Sequence, residues 1–326
     1  MNIRLVACDL DGTLMGQDLV FSTYLLSILR RVREQGVIVT IATGRGYPST
    51  RHFARQLGVT APLICYQGAQ IRTADGDTVY SGTFPPEHLS EVIAFCHAGG
   101  WELAVYCDDE IYQSTLMYEQ AYYDRWFGLP VHLAPDLLAA IPGEPVKFIA
   151  IAPDASSADR LEREMAYLAK GKYKVVRSHP WFVEGMALDV SKGESLARLA
   201  GRMGIAREET MALGDSDNDI SMVRWAGLGV AMGDASPALL QAADVIAPAQ
   251  SEDGAAWALA RYALGETECP FVCWHATSTT HWYAFPSHLR HGSCRPCAGP
   301  ARQARPSCWS RAVPFDARGP SPRHSV

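Results

Sequence analysis

The sequence contains no long apolar run, and this absence excludes a class of protein. Its apolar stretches are short and interrupted, whereas a transmembrane helix needs about 20 consecutive apolar residues. An excess of basic residues is lacking as well, since 29 Lys and Arg stand against 35 Asp and Glu, for a formal net charge of -6. We therefore expect neither a membrane nor a nucleic acid as the main partner.

Signals for export are also missing. The N-terminus has one early arginine and then enters an apolar segment that ends at Asp9, which is unlike a secretory signal peptide. The cysteines before residue 266 are scattered in apolar surroundings, as is typical of reduced, buried thiols. These four cysteines are Cys8, Cys65, Cys96 and Cys107. We predict a cytoplasmic protein, and the sequence carries no signal for an oligomeric state.

The composition changes near residue 266. Residues 266–326 hold five of the nine Cys and five of the ten His but no Lys, and no helical or strand period continues there. We predict a disordered or aberrant tail. A zinc site formed by Cys294 and Cys297 with His288 and His291 is the alternative, but its ligand spacing is imperfect.

The preceding residues alternate between strand and helix. Ile3–Cys8 is predicted as a strand, Ser22–Gln35 as an amphipathic helix, and Val37–Ala42 as a buried parallel strand. Further along, Ile71–Tyr80 with Asp75-Gly76 at its centre predicts a β-hairpin. Parallel strands joined by right-handed crossovers indicate an α/β fold with a doubly wound sheet.

A looser α/β pattern interrupts this alternation before the first pattern resumes. The return favours one domain with an inserted second domain over two domains in series. We therefore predict a core in two parts, 1–82 and 188–265, with an inserted α/β cap at 83–187.

Two aspartates follow the first predicted strand. Asp9 and Asp11 are two residues apart, so their side chains begin on the same face. Carboxylates placed this close repel each other and are best tolerated around a cation. The pair therefore suggests a divalent metal and a carboxylate nucleophile, although Asp-Gly is also common in turns.

Three more segments have residue types that suit phosphoryl transfer. Thr43-Gly44-Arg45 follows the second strand, Lys192-Gly193 opens a helix, and residues 214–219 end a later strand. The carboxyl ends of parallel strands form the ligand crevice of such a sheet. A hydroxyl, a close backbone approach, an ammonium and further carboxylates would together serve a phosphate and Mg²⁺. Taken singly, these segments also fit a turn, a solvated helix-start lysine and a helix N-cap.

The four segments in this order resemble the motifs of the haloacid dehalogenase-like hydrolases, and more narrowly the Cof-type phosphatases. The resemblance covers about residues 1 to 265. It implies a Rossmann-like core and places the inserted domain after the second motif, as an α/β cap of type IIB.

The resemblance also implies residue roles. Asp9 would be the nucleophile and a metal ligand. Asp11 would be the general acid and then the base, and would offer its backbone carbonyl to the metal. The phosphate would be held by Thr43, Gly44, Lys192 and Asn218. Asp215 would ligate Mg²⁺, with Asp219 in or near the coordination shell.

Two positions depart from the family pattern. Gln67-Gly68 stands where the family usually has Asn-Gly, and Met232-Gly233-Asp234 stands where it usually has Met-Gly-Asn. Both departures concern substrate preference more than chemistry. In the cap, His179-Pro180 near Glu184 is interpreted as a structural loop, with contact to a sugar hydroxyl as the alternative.

Together these features predict a Mg²⁺-dependent phosphatase of small phosphorylated metabolites, such as sugar phosphates or phosphorylated cofactors. Two alternatives remain open. One is a phosphotransferase or phosphomutase that uses the same aspartyl-phosphate. The other is a non-catalytic protein that binds a phosphorylated metabolite.

Overall fold

The computed structural model of the protein describes residues 2–116, 119 and 128–267, without the side chains of residues 178 and 179. The tail predicted at 266–326, with its alternative zinc ligands, lies outside the described residues from residue 268 onward. The side chain of His179 lies outside them as well.

Strands and helices alternate through most of the described chain. The strands are β1 (Leu5–Cys8), β2 (Ile38–Ile41), β3 (Leu63–Cys65), β4 (Gln70–Arg72), β5 (Thr78–Ser81), β6 (Glu102–Cys107), β7 (Glu110–Gln113), β8 (Val131–Leu133), β9 (Lys147–Ile151), β10 (Lys174–His179), β11 (Phe182–Met186), β12 (Thr210–Gly214), β13 (Leu228–Ala231) and β14 (Val245–Ile246). The helices are α1 (Thr23–Glu34), α2 (Tyr47–Leu57), α3 (Leu89–Gly99), α4 (Leu137–Ala140), α5 (Ala155–Leu168), α6 (Lys192–Arg202), α7 (Ile220–Trp225), α8 (Pro237–Ala242) and α9 (Gly254–Ala258). Within the described ranges, we find no helix with the length and apolar character needed to cross a bilayer.

The core is a five-stranded sheet in the order β14-β13-β12-β1-β2, and all of its strand pairs are parallel. Strand β1 lies between β12 and β2, so that Leu5 pairs with Thr210 on one side and Ile38 on the other. All four residues of β1 are buried, as is typical of an interior strand in a parallel sheet whose two faces are covered. The predicted α/β fold with a doubly wound parallel sheet is confirmed.

A small antiparallel sheet, β3-β4-β5, adjoins this core. A parallel bridge between Ala42 and Ile64 connects it to the end of β2. Strands β4 and β5 pair as the hairpin predicted from Asp75-Gly76, and Gly76 has the positive φ of +110° that such a turn requires.

Between β5 and α6, the chain forms a six-stranded sheet in the order β10-β11-β9-β6-β7-β8, in which only the β7–β8 pair is parallel. Alternate side chains of a pleated strand face opposite sides. Phe148 and Val183 therefore join an apolar cluster with helices α3 and α5, whereas Ile149 and Phe182 join the cluster of the core. We infer that this sheet and its helices are the inserted cap at 83–187, between core parts 1–82 and 188–265.

Candidate active site

Three neighbouring strands of the core each end at a predicted site residue. Asp9 follows β1, Thr43 follows β2, and Asp215 follows β12, and the sheet order places these strands side by side. The backbone N–H of Asp9 continues the ladder by donating to the Leu213 carbonyl at 3.0 Å. The site therefore lies at the carboxyl edge of the sheet, where an open α/β fold binds its ligand.

Lys192 is buried at the first position of α6, where its side chain is 1% exposed. The helix begins there because Ser191 caps it and accepts the Glu194 N–H at 3.1 Å. The Lys192 ammonium lies 2.7 Å from Asp9 Oδ1 and 2.6 Å from Asp219 Oδ1. Burial alone would lower the pKa of Lys192, but these carboxylates raise it above its usual value. The alternative of a solvated lysine is wrong.

The loop after β12 is held by Asp219, which is fully buried. Its Oδ2 accepts the N–H groups of Asp215 and Ser216 at 3.0 and 3.1 Å. Asp219 thus caps the turn that starts α7 and also faces Lys192, so the N-cap alternative and a role in the site coexist. Asp215 is oriented by hydroxyl groups, from Thr13 to Oδ1 at 2.8 Å and from Ser216 to Oδ2 at 2.7 Å.

Three of these carboxylates form an acidic cluster. Asp9, Asp215 and Asp219 each place an oxygen within 4.8 Å of the other two. Burial raises the pKa of Asp9 well above its usual value, and the neighbouring carboxylates add to the rise although Lys192 opposes it. Burial, followed by Asp219, raises the pKa of Asp215 to about 6. Such an all-oxygen, electron-rich cluster fits a hard divalent cation such as Mg²⁺.

Asp11 lies apart from this cluster and pairs with Arg45. The Arg45 Nε donates to Asp11 Oδ2 and Nη2 donates to Oδ1, each at 2.7 Å. This bidentate pair fixes the orientation of the carboxylate. The guanidinium also lies over the Phe53 ring, 5.1 Å from its centroid. Sequence analysis included Arg45 in a motif but assigned it no role.

A cavity of about 170 Å³ lies between the strand ends and the cap sheet. The predicted site residues that line it are Asp9, Asp11, Thr43, Gly44 and Asn218. Asp215, Asp219 and Lys192 are not among the lining residues and lie beside or behind Asp9. The Thr43 hydroxyl accepts the Arg45 N–H at 3.2 Å, so its own hydrogen can still be donated to a ligand.

Three polar residues of this cavity were not among the predicted site residues, although the sequence marked Gln67 as a departure from the family pattern and Glu184 as a neighbour of the His179-Pro180 loop. Gln67 donates from Nε2 to Glu184 Oε1 at 3.3 Å and accepts from Asn218 Nδ2 at 2.9 Å. Lys147 donates to Glu184 Oε2 at 2.6 Å and to the Gly44 carbonyl at 3.1 Å. The available signal was a charged residue within an otherwise apolar strand, Lys-Phe-Ile-Ala-Ile in β9 and Phe-Val-Glu-Gly-Met in β11.

The two departures from the family pattern have different positions. Gln67 is buried, lines the cavity and has a positive φ of +60°. Asp234 is exposed, is absent from the lining of the cavity and accepts the Gln250 N–H at 3.2 Å. Only the Gln67 departure is therefore placed to touch a substrate.

A parallel sheet with clustered carboxylates at its carboxyl edge, facing a second α/β unit, is an arrangement that suits an enzyme acting on an anionic ligand with the help of a cation. The sequence profile of the haloacid dehalogenase-like hydrolases matches residues 6–259, and the chain belongs to this family. The enzyme is a phosphoric monoester hydrolase, in agreement with the phosphatases among its relatives.

One such relative is the 5-amino-6-(5-phospho-D-ribitylamino)uracil phosphatase YcsE of Bacillus subtilis (strain 168). It is 28% identical over 266 residues, which cover 81% of this chain and 97% of the relative. A solved haloacid dehalogenase-like hydrolase from Bacteroides thetaiotaomicron is 29% identical, with a TM-score of 0.72, and the match covers 80% of this chain and 99% of that one. A Thermotoga maritima structure is 27% identical, with a TM-score of 0.69 and coverage of 82% and 99%.

Proposed function

We propose that the protein is a Mg²⁺-dependent phosphatase that hydrolyses small phosphorylated metabolites through an aspartyl-phosphate on Asp9. Sugar phosphates and phosphorylated cofactors are the proposed substrate class. The observation that carries this proposal is the position of Asp9. Its carboxylate stands at the end of β1, 2.7 Å from the buried Lys192 ammonium and in the wall of the cavity.

The reaction has two displacements at phosphorus. A carboxylate oxygen of Asp9 attacks, and the bond from phosphorus to the ester oxygen breaks while protonated Asp11 gives its proton to the departing alkoxide. Asp11 then removes a proton from water, which attacks the aspartyl-phosphate and releases inorganic phosphate. Asp9 returns as a free carboxylate, and Asp11 regains its proton.

The phosphoryl group would be bound by Thr43, Gly44, Lys192 and Asn218. The Thr43 hydroxyl donates, the Gly44 backbone permits close approach, and the Lys192 ammonium offsets charge on the oxygens. Asn218 has one amide N–H committed to Gln67 and can direct the second toward the ligand. Positioning and charge account for most of the stabilisation of a loose phosphoryl-transfer transition state.

The acidic cluster would hold the metal through Asp9, Asp215 and Asp219, together with the backbone carbonyl of Asp11. Bound there, Mg²⁺ would supply positive charge that offsets the nucleophile and the phosphate dianion, so that both can occupy one site. The close oxygens and the raised pKa values of Asp9 and Asp215 support this assignment.

The relatives favour hydrolysis over transfer to a second alcohol. YcsE is named as a phosphatase of a phosphorylated ribitylamino compound, and the Bacillus subtilis protein YxeH, 27% identical, is named as a putative phosphatase. Incubation with a phosphate ester, Mg²⁺ and added glycerol tests this choice. A phosphatase releases inorganic phosphate, whereas a glycerol phosphate product would establish transfer. If neither inorganic phosphate nor glycerol phosphate forms from any ester, the result favours the non-catalytic alternative.

We also propose a cytoplasmic location, with no nucleic acid or membrane as partner. The four cysteines of the described residues support it, because Cys8, Cys65, Cys96 and Cys107 are all free and buried, as expected from the sequence. Reduced thiols are typical of the cytosol.

The acid role of Asp11 predicts a dependence on the leaving group. In Asp11→Asn, we expect kcat/KM for an alkyl phosphate, which reports the steps up to the aspartyl-phosphate, to fall about 100-fold or more, the range of general acid–base catalysis. The loss should be smaller for p-nitrophenyl phosphate, since nitrophenolate leaves without a proton. Parallel assays of phosphate and nitrophenolate release measure the ratio. Equal losses for both esters would contradict the acid role.

The position of Gly12 predicts that a side chain there would clash with Asp215 in the metal cluster. Its φ is +83°, and a Cβ there would lie 2.4 Å from Asp215 Oδ2. In Gly12→Ala we expect the Mg²⁺ concentration for half-maximal activity to rise about tenfold, because the carboxylate must move. Gly36→Ala is the matched control, with a φ of +84° and nothing within 4 Å. It should share the backbone strain but not the change in metal requirement, and an equal change in both variants would disprove the clash.

A further inference from the structure

The cap side of the cavity holds an ion pair that the proposed chemistry does not use. The Lys147 ammonium lies 2.6 Å from Glu184 Oε2, and both side chains are 3% exposed. They come from β9 and β11, which are adjacent and antiparallel. Their chain neighbours Phe148 and Val183 face the cap's own apolar cluster, so the pleat directs the ion pair toward the core.

This ion pair adjoins the proposed phosphate site. Lys147 donates to the Gly44 carbonyl at 3.1 Å, and Gln67 donates to Glu184 at 3.3 Å. All four residues line the same cavity as Asp9. An ester with its phosphoryl group at Asp9 therefore has its alcohol part beside Lys147 and Glu184.

Fold stability is a poor explanation for these charges. Their cavity neighbours on the cap are Tyr106, Ile149 and Phe182. Removing two charges from water costs about as much free energy as their attraction returns, and apolar side chains of similar size often serve stability equally well. A ligand that uses the charges is a better reason for their position.

We propose that Lys147 and Glu184 bind the alcohol part of the substrate and select phosphate esters of small, uncharged alcohols with several hydroxyl groups. This inference rests on the proposed function, because it concerns the leaving group of that reaction. The Glu184 carboxylate has about four acceptor positions, and its hydrogen bonds to described residues, from Lys147 and Gln67, use two of them. Hydroxyl groups of the alcohol donate to the others.

Charge pairing explains the preference for an uncharged alcohol. Both charged side chains on the cap side of the cavity, Glu184 and Lys147, are paired with each other. An additional ammonium or carboxylate on the alcohol meets no unpaired counter-charge in this wall and loses its water on binding.

Volume and shape favour a small alcohol. The cavity measures about 170 Å³, which is below the roughly 300–1,000 Å³ of ordinary small-molecule sites. Ile149 and Phe182 present apolar surface to the carbon skeleton, while Glu184 and Gln67 present polar atoms to its hydroxyls. A short polyol chain matches this division.

Four esters with a three-carbon skeleton test the wild-type enzyme. They are glycerol 3-phosphate with hydroxyls, propyl phosphate without them, 3-aminopropyl phosphate with a cation and 3-phosphoglycerate with an anion. We expect kcat/KM for glycerol 3-phosphate to exceed the other three by about tenfold or more, since a site that hydrogen-bonds hydroxyls rejects analogues lacking them. Equal values for all four esters would overturn the subsite while leaving the proposed function intact.

Variants of the ion pair test the subsite through the preference between charged and uncharged esters. A purely structural role of Lys147 and Glu184 would not change this preference. Glu184→Gln leaves the Lys147 ammonium unpaired, so kcat/KM for 3-phosphoglycerate relative to glycerol 3-phosphate should rise about tenfold. Lys147→Met leaves Glu184 unpaired. In this variant, kcat/KM for 3-aminopropyl phosphate relative to glycerol 3-phosphate should rise instead. The double variant, Lys147→Met with Glu184→Gln, contains no lone buried charge and should lose the preference for glycerol 3-phosphate over propyl phosphate.

Lys172→Met is the matched control, because it removes one partner of a half-buried cap ion pair, 2.7 Å from Glu91, that does not line the cavity. All ratios should stay at wild-type values. If a folded double variant keeps the wild-type ratios, the subsite is refuted. If the wild-type enzyme releases no phosphate from the four esters or from p-nitrophenyl phosphate, the proposed function itself fails, and the subsite fails with it.

Discussion

Asp9→Asn is expected to lower kcat by about 10⁴-fold or more, the scale of loss when a catalytic nucleophile is removed. The amide has nearly the size of the carboxylate but cannot attack phosphorus, so no phosphoenzyme forms. Phosphate release under steady-state conditions measures kcat. Acid quenching after a brief reaction with labelled ester measures the covalent intermediate, which should be present in the wild-type enzyme and absent in the variant.

The matched control is Asp75→Asn in the exposed hairpin turn between β4 and β5. It makes the same chemical change at a residue that does not line the cavity and should retain wild-type activity. Thermal unfolding of both variants separates loss of chemistry from loss of fold. We expect Asp9→Asn to remain folded, because Lys192 keeps its contact with Asp219 at 2.6 Å. Appreciable turnover by Asp9→Asn would disprove the aspartyl-phosphate mechanism.

Removal of Mg²⁺ with EDTA is expected to reduce activity by about 10³-fold or more. Metal stabilisation of transition-state charge is worth several kcal/mol, and about 1.36 kcal/mol corresponds to a factor of ten in rate. The clustering of Asp9, Asp215 and Asp219 within 4.8 Å, with Lys192 beside two of them, favours a bound cation that offsets their negative charge. Phosphate release before and after chelation measures the effect.

Recovery of activity after Mg²⁺ is added back is the control for this experiment. Excess Mg²⁺ should restore the full rate, and Asp215→Asn should require more Mg²⁺ for half-maximal activity than the wild-type enzyme does. An unchanged rate after EDTA treatment and dialysis would contradict the metal assignment. It would leave the nucleophile assignment open to the separate test of Asp9.

Some parts of the site were predictable because they depend on short-range patterns. The apolar run before Asp9 indicates a buried strand, and the spacing of two places Asp11 on the same face. Thr43 and Asp215 also follow apolar strands, and parallel topology brings strand ends to one edge. The doubly wound sheet could therefore be predicted from the sequence, and the family from the resemblance of its four motifs.

Lys192 shows where this kind of prediction ends. By itself, a lysine at a helix start is usually solvated, and nothing adjacent in sequence contradicts that view. The structure buries it between Asp9 and Asp219, which are 183 and 27 residues away in the chain. Asp11 is similar, because its bidentate pairing with Arg45 joins two strand ends that only the folded sheet brings together.

The α/β class and the placement of the motifs at strand ends could be predicted from the sequence, because period, turn chemistry and motif order are properties of neighbouring residues. Which charges meet across the cavity depends on the folded chain. Lys147 and Glu184 lie on separate cap strands, and their contact with Gly44 and Gln67 depends on strand register and on how the cap sheet faces the core. Pairing energies of this kind act between distant segments, so no local pattern encodes them.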